Sequence, residues 1–403
     1  MARKKKVIQT KSVSVQDLMN LIGKDVLESI SKELNADKWV IKLKSQTVFS
    51  LILYSLFDST RISLRIMENN YSSVLFKAIE NLAVDDQTAH SSIRDRLKVI
   101  KSGYFEKIYQ HCYDLLGKNY TENELSKFNL KRYDSTMIAV FSHLLQGMEV
   151  GNISKNKNQV KLTTELTNGF QVRMKFFTDQ EHLSEETALK EVIQEVQHDK
   201  KDLIVFDRGL KSRQSFKDFA DKNTQFVTRL NENARYVLQR HHLPIPLIEH
   251  DELEIIQDSI VFLYGKGNTI VKEPLRLIEA KRKEDGKKIF FLSNILDLSA
   301  YMIGYIYRQR WQIEVFFRFM KQEMNLTHFV CNDENAIKVM LYCTLIAAML
   351  ILVYKKQNGI KSYKFAKIQF FKELQANIIL EVLDSQDGVE KLKIYLKTNK
   401  RKL

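Results

Sequence analysis

Apolar residues recur at helical spacing through residues 15–34, 39–57, 62–67 and 93–116, and no proline interrupts them. A period near 3.6 without a breaker predicts that residues 1–125 are wholly helical. From about residue 126 the period shortens. Apolar, β-branched runs at 130–140, 159–166 and 171–177, a helical stretch at 184–196 and a further run at 203–206 predict three strands, a helix and a strand. A helix at 212–221 and a strand at 225–229 follow. All three prolines, Pro244, Pro246 and Pro274, then fall within residues 231–297, where alternating runs at 253–256, 260–264, 275–280 and 288–292 predict a β-rich insertion. Helical spacing returns over 306–320, and 339–354 is an almost unbroken apolar run. It is shorter than the ~20 residues of a membrane span, so a core helix is expected there.

The helix at 306–320 carries the most informative pattern. Its Ile306, Trp311, Ile313, Val315, Phe316, Phe317, Phe319 and Met320 predict burial around most of its circumference. At about 100° per residue, Tyr307, Arg310, Glu314 and Lys321 share an arc of roughly 60°. A carboxylate between two cations, with a phenol one turn away, suits a metal ion beside a phosphodiester. A solvated face with an Arg310–Glu314 pair at i, i+4 would show the same spacing, and the helix alone does not choose.

Two aspartates elsewhere bear on the choice. Asp134 interrupts a β-prone segment between Tyr133 and Ser135-Thr136-Met137-Ile138, where a solvated loop acid is not expected. Asp207 closes the run Leu203-Ile204-Val205-Phe206 and precedes Arg208-Gly209-Leu210, the pattern of a buried strand that delivers a carboxylate at its C-terminal edge. Taken singly, each is more often a turn or cap residue. Their conjunction with Glu314 carries the weight.

Asp134 within Tyr-Asp-Ser-Thr, Asp207 within Asp-Arg-Gly-Leu, and the spacing Tyr307-(2)-Arg310-(3)-Glu314-(6)-Lys321 resemble the DDE transposases of bacterial insertion sequences. More narrowly they resemble insertion-sequence family four, whose hallmark is that Tyr-Arg-Glu-Lys spacing. The resemblance runs from about residue 40 to 355. It implies an α/β fold: a ribonuclease-H-like catalytic core at 126–230 and 298–358, split by the β-rich insertion at 231–297. Before it stands an all-α DNA-binding domain at 1–125, and after it a basic region at 359–403. It also implies two Mg2+ (or Mn2+) ions held by Asp134, Asp207 and Glu314, with Tyr307, Arg310 and Lys321 positioning phosphate, and cut-and-paste movement of DNA. The implied partners are double-stranded DNA, as terminal inverted repeats and target, and a second copy of the chain in the DNA complex, with no membrane. Some relatives trap a flipped base with a tryptophan in the insertion, but the only tryptophans here are Trp39 and Trp311.

Composition agrees with such a partner. Lys+Arg total 63 against 49 Asp+Glu, a formal charge of +14, which points to a polyanion. A 44% hydrophobic content with 23 Phe and 16 Tyr argues for a folded body rather than a disordered basic tail. In the helical region, Thr88 to Ser92 supply cap-type residues before Arg94, Arg96 and Lys98, the candidates for DNA contact. Cys112, Cys331 and Cys343 form no metal or redox motif, and the nine histidines are scattered. A reduced, cytoplasmic protein is therefore expected, which the resemblance implies is bacterial and nucleoid-associated, and Ala2 to Lys6 lead into no signal-peptide core. Two alternatives stay open: a non-enzymatic DNA-end-binding protein and a stand-alone nuclease on the same fold.

Overall fold

The computed structural model describes residues 12–59, 61–120, 128–139, 159–167, 170–241, 252–326, 329–331, 333–384 and 388–399. Pro244, Pro246 and the ends of the chain lie outside these. Two compact units result, one of residues 1–120, 139–145 and 318–403, the other of residues 121–138 and 146–317. Among the described residues, the first begins with seven helices: α1 (Val15–Asn20), α2 (Lys24–Leu34), α3 (Ser45–Asp58), α4 (Leu64–Tyr71), α5 (Val74–Glu80), α6 (His90–Val99) and α7 (Ser102–Tyr120). Local signals start them. Ser14 and Asp17 form a reciprocal capping box on α1, and Ser63 and Ser73 cap α4 and α5. The sequence predicts that the third helix begins at Trp39, whereas α3 begins at Ser45. Asp37 accepts hydrogen bonds from the Ser45 backbone N and Oγ at 2.7 and 2.8 Å, which fixes the helix start and leaves residues 36–44 as a loop.

The second unit holds β1 (Asn129–Ala139), β2 (Gln159–Thr167), β3 (Phe170–Phe177), α8 (Glu185–Gln194), β4 (Asp202–Phe206), α9 (Arg213–Asp221) and β5 (Gln225–Leu230). After these come β6 (Tyr236–His241), β7 (Leu253–Tyr264), β8 (Ile270–Arg282), β9 (Lys288–Ser293), α10 (Ala300–Arg308) and the start of α11 (Trp311–Gln322). The strands form one mixed sheet, ordered β3-β2-β1-β4-β5-β9-β8-β7-β6. β1, β4 and β5 are parallel, while β5, β9, β8, β7 and β6 pair antiparallel in turn. The β-rich segment thus prolongs the central sheet as a wing. Two short runs expected at 253–256 and 260–264 fuse into β7, and β6 has no counterpart in the sequence prediction. Pro274 sits where the β7–β8 register shifts, between the pairs Val261–Leu275 and Leu263–Val271, so it removes no ladder bond.

Alternation along the central strands sorts the two faces. Tyr133, Ile204, Phe206 and Phe226 pack with Ala188, Leu189, Val192 and Ile193 of α8 and Phe216 and Phe219 of α9. Leu130, Leu203, Val205 and Val227 pack with Ile303, Ile306 and Tyr307 of α10. Each fully buried Leu, Ile or Phe contributes about 1.5–3 kcal/mol. The centre of the sheet is consequently fixed from both sides.

The chain then returns to the first unit with α12 (Glu334–Gln357), α13 (Tyr363–Asp384) and α14 (Gly388–Asn399). Asp333 caps α12 by accepting from the backbone of Asn335 and Ala336. This helix is long and apolar enough to cross a membrane, but it is buried against α3, α6, α7 and α13, as expected of a core helix.

Candidate active site

Strand register brings the two aspartates together. β1 and β4 run parallel with Tyr133 opposite Phe206, so Asp134 and Asp207 emerge side by side, one strand spacing of about 4.8 Å apart. Tyr133 and Phe206 both enter the core under α8 and α9, and period 2 therefore sends both acids toward the α10 face. The backbone N of Ser135 donates to Asp134 Oδ1 at 2.8 Å.

Tyr307, Arg310 and Glu314 reach the same place from α10 and α11, though not on one straight helix as predicted. The chain turns at Gln309 and Arg310, between the two helices. Arg132, fully buried on β1, donates its Nε to the Gln309 carbonyl at 2.7 Å. The next amides tighten to i−3 partners, with Arg310 N on the Tyr307 carbonyl and Ile313 N on the Arg310 carbonyl. Tyr307 Oη donates to Asp207 Oδ1 at 2.8 Å. Arg310 donates Nη1 to Asp134 Oδ2 at 3.4 Å and Nη2 to Glu314 Oε1. The three acids thus meet around one guanidinium.

The charges here are unbalanced. Asp134 is pushed up to about 7 by loss of hydration, and the charges of Glu185 and Glu314 add to the rise, against the Ser135 amide and Arg310. Burial would also raise Asp207, but the Arg208 amide, Arg310, the Tyr307 hydroxyl and Arg229 together hold it below the ordinary range. Tyr307 rises to about 12 through burial and the charge of Asp207, so its hydroxyl stays a donor. Its ring lies against Phe291, with the Arg229 and Arg310 guanidinium carbons each 5.8 Å from the ring centroid. Arg310 is 9% exposed and its Nε has no hydrogen-bond partner among the described residues. Beside these groups opens a cavity of ≈ 1140 Å³ lined by Tyr301, Tyr305, Trp311, Arg229, Arg282 and Arg308 among others.

Glu185, Arg132 and Arg229 are not among the residues predicted from the sequence. Glu185 opens α8, and a Cβ on Gly209 would stand 2.5 Å from its carboxyl carbon, so glycine in Asp-Arg-Gly makes room for a fourth acid beside Asp207. Nothing in the sequence joins positions 185 and 209. Arg132 was legible, since it lies two residues before Asp134 and so on the same strand face. The all-oxygen donor set fits a hard divalent cation, and added positive charge would relieve Asp134. Among the described residues, though, no group of three or more His, Cys, Asp or Glu side chains is arranged to hold a metal ion.

The other predicted residues lie in the first unit. Lys321, near the end of α11, is half-buried, and burial lowers its pKa. Arg94 and Lys98 are exposed on α6, Arg94 paired with Asp95 at 3.0 Å. Arg96 turns inward, donating to the Leu43 carbonyl at 3.0 Å and to Asp37 at 2.9 Å. The helical period separates it from Arg94 and Lys98, and its guanidinium serves the 36–44 loop. The three cysteines are free and buried.

Residues 133–350, more than half of the chain, match the family model of the transposase DDE domain. A putative transposase y4zB of Sinorhizobium fredii is 34% identical over 158 residues, 39% of this chain and 43% of that protein. A putative transposase for insertion sequence element IS4SA of Synechocystis is 23% identical over 247 residues, 60% of this chain and 64% of the relative. A probable transposase for insertion sequence element IS5377 of Geobacillus stearothermophilus is 37% identical over 70 residues, covering 17% and 19%. The matches therefore span less than two thirds of each of these relatives. Asp134, Asp207, Tyr307, Arg310 and Glu314 all fall inside the matched family segment, and the chain belongs to the transposase DDE domain family.

Proposed function

We propose that this protein is the transposase of a bacterial insertion sequence of family four, acting in the cytoplasm on nucleoid DNA. On this reading it binds terminal inverted repeats as a homodimer, cleaves DNA and joins the freed ends to target DNA. The observation that carries the reading is the gathering of Asp134, Asp207 and Glu314 around Arg310, on elements far apart in sequence. The strand order β3-β2-β1-β4-β5, with its antiparallel and then parallel pairings, supports a ribonuclease-H-like core.

Asp134, Asp207 and Glu314 would hold two Mg2+ or Mn2+ ions, which when bound supply Lewis acidity to phosphodiester oxygens and to the attacking hydroxyl. The protein's own groups do the positioning. Tyr307 fixes the Asp207 carboxylate through its hydroxyl, Arg310 presents a planar fork to phosphate, and Lys321 adds a point charge. The arginine- and aromatic-lined cavity gives a DNA strand both charge and ring surface next to the acids. The N-terminal helices carry no member of the triad and are assigned to repeat recognition, with Arg94 and Lys98 as contacts.

Incubating the protein with Mg2+ and labelled terminal-repeat DNA and resolving the products on a denaturing gel tests this. Cleaved ends joined to target DNA are expected. Cleavage without joining would assign a stand-alone nuclease, and a gel shift without products would assign an end-binding protein.

A further inference from the structure

The loop between α2 and α3 drives two large apolar side chains into solvent. Trp39 is 89% exposed and Ile41 95%, the highest values for large apolar residues among those described. The loop is firmly tied. Asp37 accepts from Ser31 Oγ at 2.9 Å and from Ser45, and Arg96 binds Asp37 and the Leu43 carbonyl. Trp39 and Leu43 hold φ of 67° and 55°, left-handed values that cost energy in a residue with a Cβ. A slack loop would fold its tryptophan down, so both hydration and backbone strain oppose this arrangement. Strain and exposure together mark a surface shaped for a ligand.

The surroundings name the ligand's chemistry. Lys38 and Lys44 are exposed in the same loop and Lys38 Nζ lies 5.8 Å from the Trp39 ring centroid, while Lys42 is paired with Asp86 at 2.5 Å. A groove lined by Lys42, Gln87, Ser92, Asp95 and Val99 joins the loop to α6, where Arg94 offsets Asp95 and Lys98 adds another cation. An apolar tip flanked by Lys38 and Lys44 fits a polyanion with stacked rings. A second copy of this chain, at a formal +14, would bring like charge to the same place.

We propose that residues 37–44 form a wedge for duplex DNA: Lys38 and Lys44 hold phosphates while Trp39 and Ile41 enter an opened base step. The proposal rests on the DNA-binding reading above and adds to it a point of DNA distortion in the N-terminal unit, remote in sequence from the acids. Full-length protein is titrated into labelled terminal-repeat and random duplexes at two salt concentrations, with 2-aminopurine in the duplex to report unstacking. Trp39→Ala should weaken binding on the order of ten-fold to a hundred-fold, the range of a base–aromatic stack, and abolish the 2-aminopurine signal. Trp39→Phe should restore most of both. Lys38→Ala should flatten the salt slope by about one unit, whereas Trp39→Ala leaves that slope unchanged. If the wild-type protein binds DNA and Trp39→Ala binds as tightly with the same signal, the wedge is overturned and the DNA-binding reading stands. If the wild-type protein binds no duplex, both fall. If Trp39→Ala alters only self-association in sedimentation, the loop is a contact between copies and the wedge is again overturned.

Discussion

In the antiparallel wing, Arg276 donates Nε to Asp258 Oδ1 at 2.9 Å and Nη2 to Oδ2 at 2.7 Å, and its Nη1 reaches the Ile295 and Leu298 carbonyls. One cation meets one anion through a bidentate fork. In the parallel centre, Arg310 reaches Asp134 only at 3.4 Å, gives Nη2 to Glu314 and, among the described residues, leaves Nε without a hydrogen-bond partner. Asp207 and Glu185 add their charges nearby. The residue types are the same, but the wing pair is complete and the central group is short of positive charge. An incomplete group is costly to keep buried, and on the function proposed above the same shortage is what a cationic ligand and a phosphate would relieve.

Removing the central acids should have the largest effect. Asp134→Asn and Asp207→Asn should each lower cleavage on the order of a thousand-fold or more, because several kcal/mol of transition-state stabilisation go with the lost carboxylate. DNA affinity, read by anisotropy, should stay near the wild-type value. Asp258→Asn, assayed on folded protein, should cleave normally. A catalytic loss there as deep as in Asp134→Asn would erase the distinction between wing and centre.

Stability should divide the other way. Breaking the wing pair with Asp258→Asn leaves Arg276 buried and unpaired, which costs roughly 3–5 kcal/mol. A lower urea midpoint checks it. Replacing both partners, as Arg276→Met with Asp258→Leu, should recover most of that loss, since a buried ion pair can be exchanged for apolar packing.

The pH dependence of stability sharpens the contrast. Asp134 has its carboxyl near 7 in the folded chain against 3.8 unfolded, so between these values the native state holds the extra proton. Stability of the metal-free protein should therefore fall as pH rises from about 4 to 7 and level off above, by at most about 4 kcal/mol. Asp134→Asn should flatten this fall and, above pH 7, raise the urea midpoint while cleavage is lost. Added Mg2+ should raise the wild-type midpoint at pH 8 more than that of the variant. A wild-type profile as flat as that of Asp134→Asn would show that the central carboxylates are already compensated.

Much of the centre was legible because its signals are local and periodic. Four apolar residues running up to Asp207, and an acid within a β-prone run at Asp134, mark strands and the edge where the acids emerge; β1 and β4 in parallel register supply the proximity. The spacing from Tyr307 to Glu314 marked the third element, but not its bend. That bend depends on Arg132 reaching the Gln309 carbonyl from 177 positions away, a contact without a periodic trace. The wing was legible only as β-rich. Its attachment to β5 through β9 is a long-range pairing, and Arg276 and Asp258 stood in the sequence as ordinary strand charges. Helical spacing through Trp39 predicts a helix start there, and it fails because the start of α3 is set by Asp37, eight residues upstream, accepting from the Ser45 amide, a bond that leaves no mark on the periodic pattern.

The smallest expected effect isolates a single hydroxyl. Tyr307→Phe keeps the ring against Phe291 and within 5.8 Å of both the Arg229 and Arg310 guanidinium carbons but removes the 2.8 Å bond to Asp207. A hydrogen bond to a charged acceptor contributes about 1.5–3 kcal/mol, so cleavage should fall roughly ten-fold to a hundred-fold. The loss should also depend on pH in a definite direction. The hydroxyl is one of the groups that hold Asp207 below the ordinary carboxylate range, so without it the Asp207 carboxyl rises and the acidic limb of the rate profile moves toward higher pH. Tyr264→Phe in the wing, where the ring stacks under Arg235 at 4.8 Å, should change neither rate nor profile. If the two variants lose activity equally, or if the profile of Tyr307→Phe does not move, the hydroxyl contributes packing alone and the centre is less specialised than its geometry indicates.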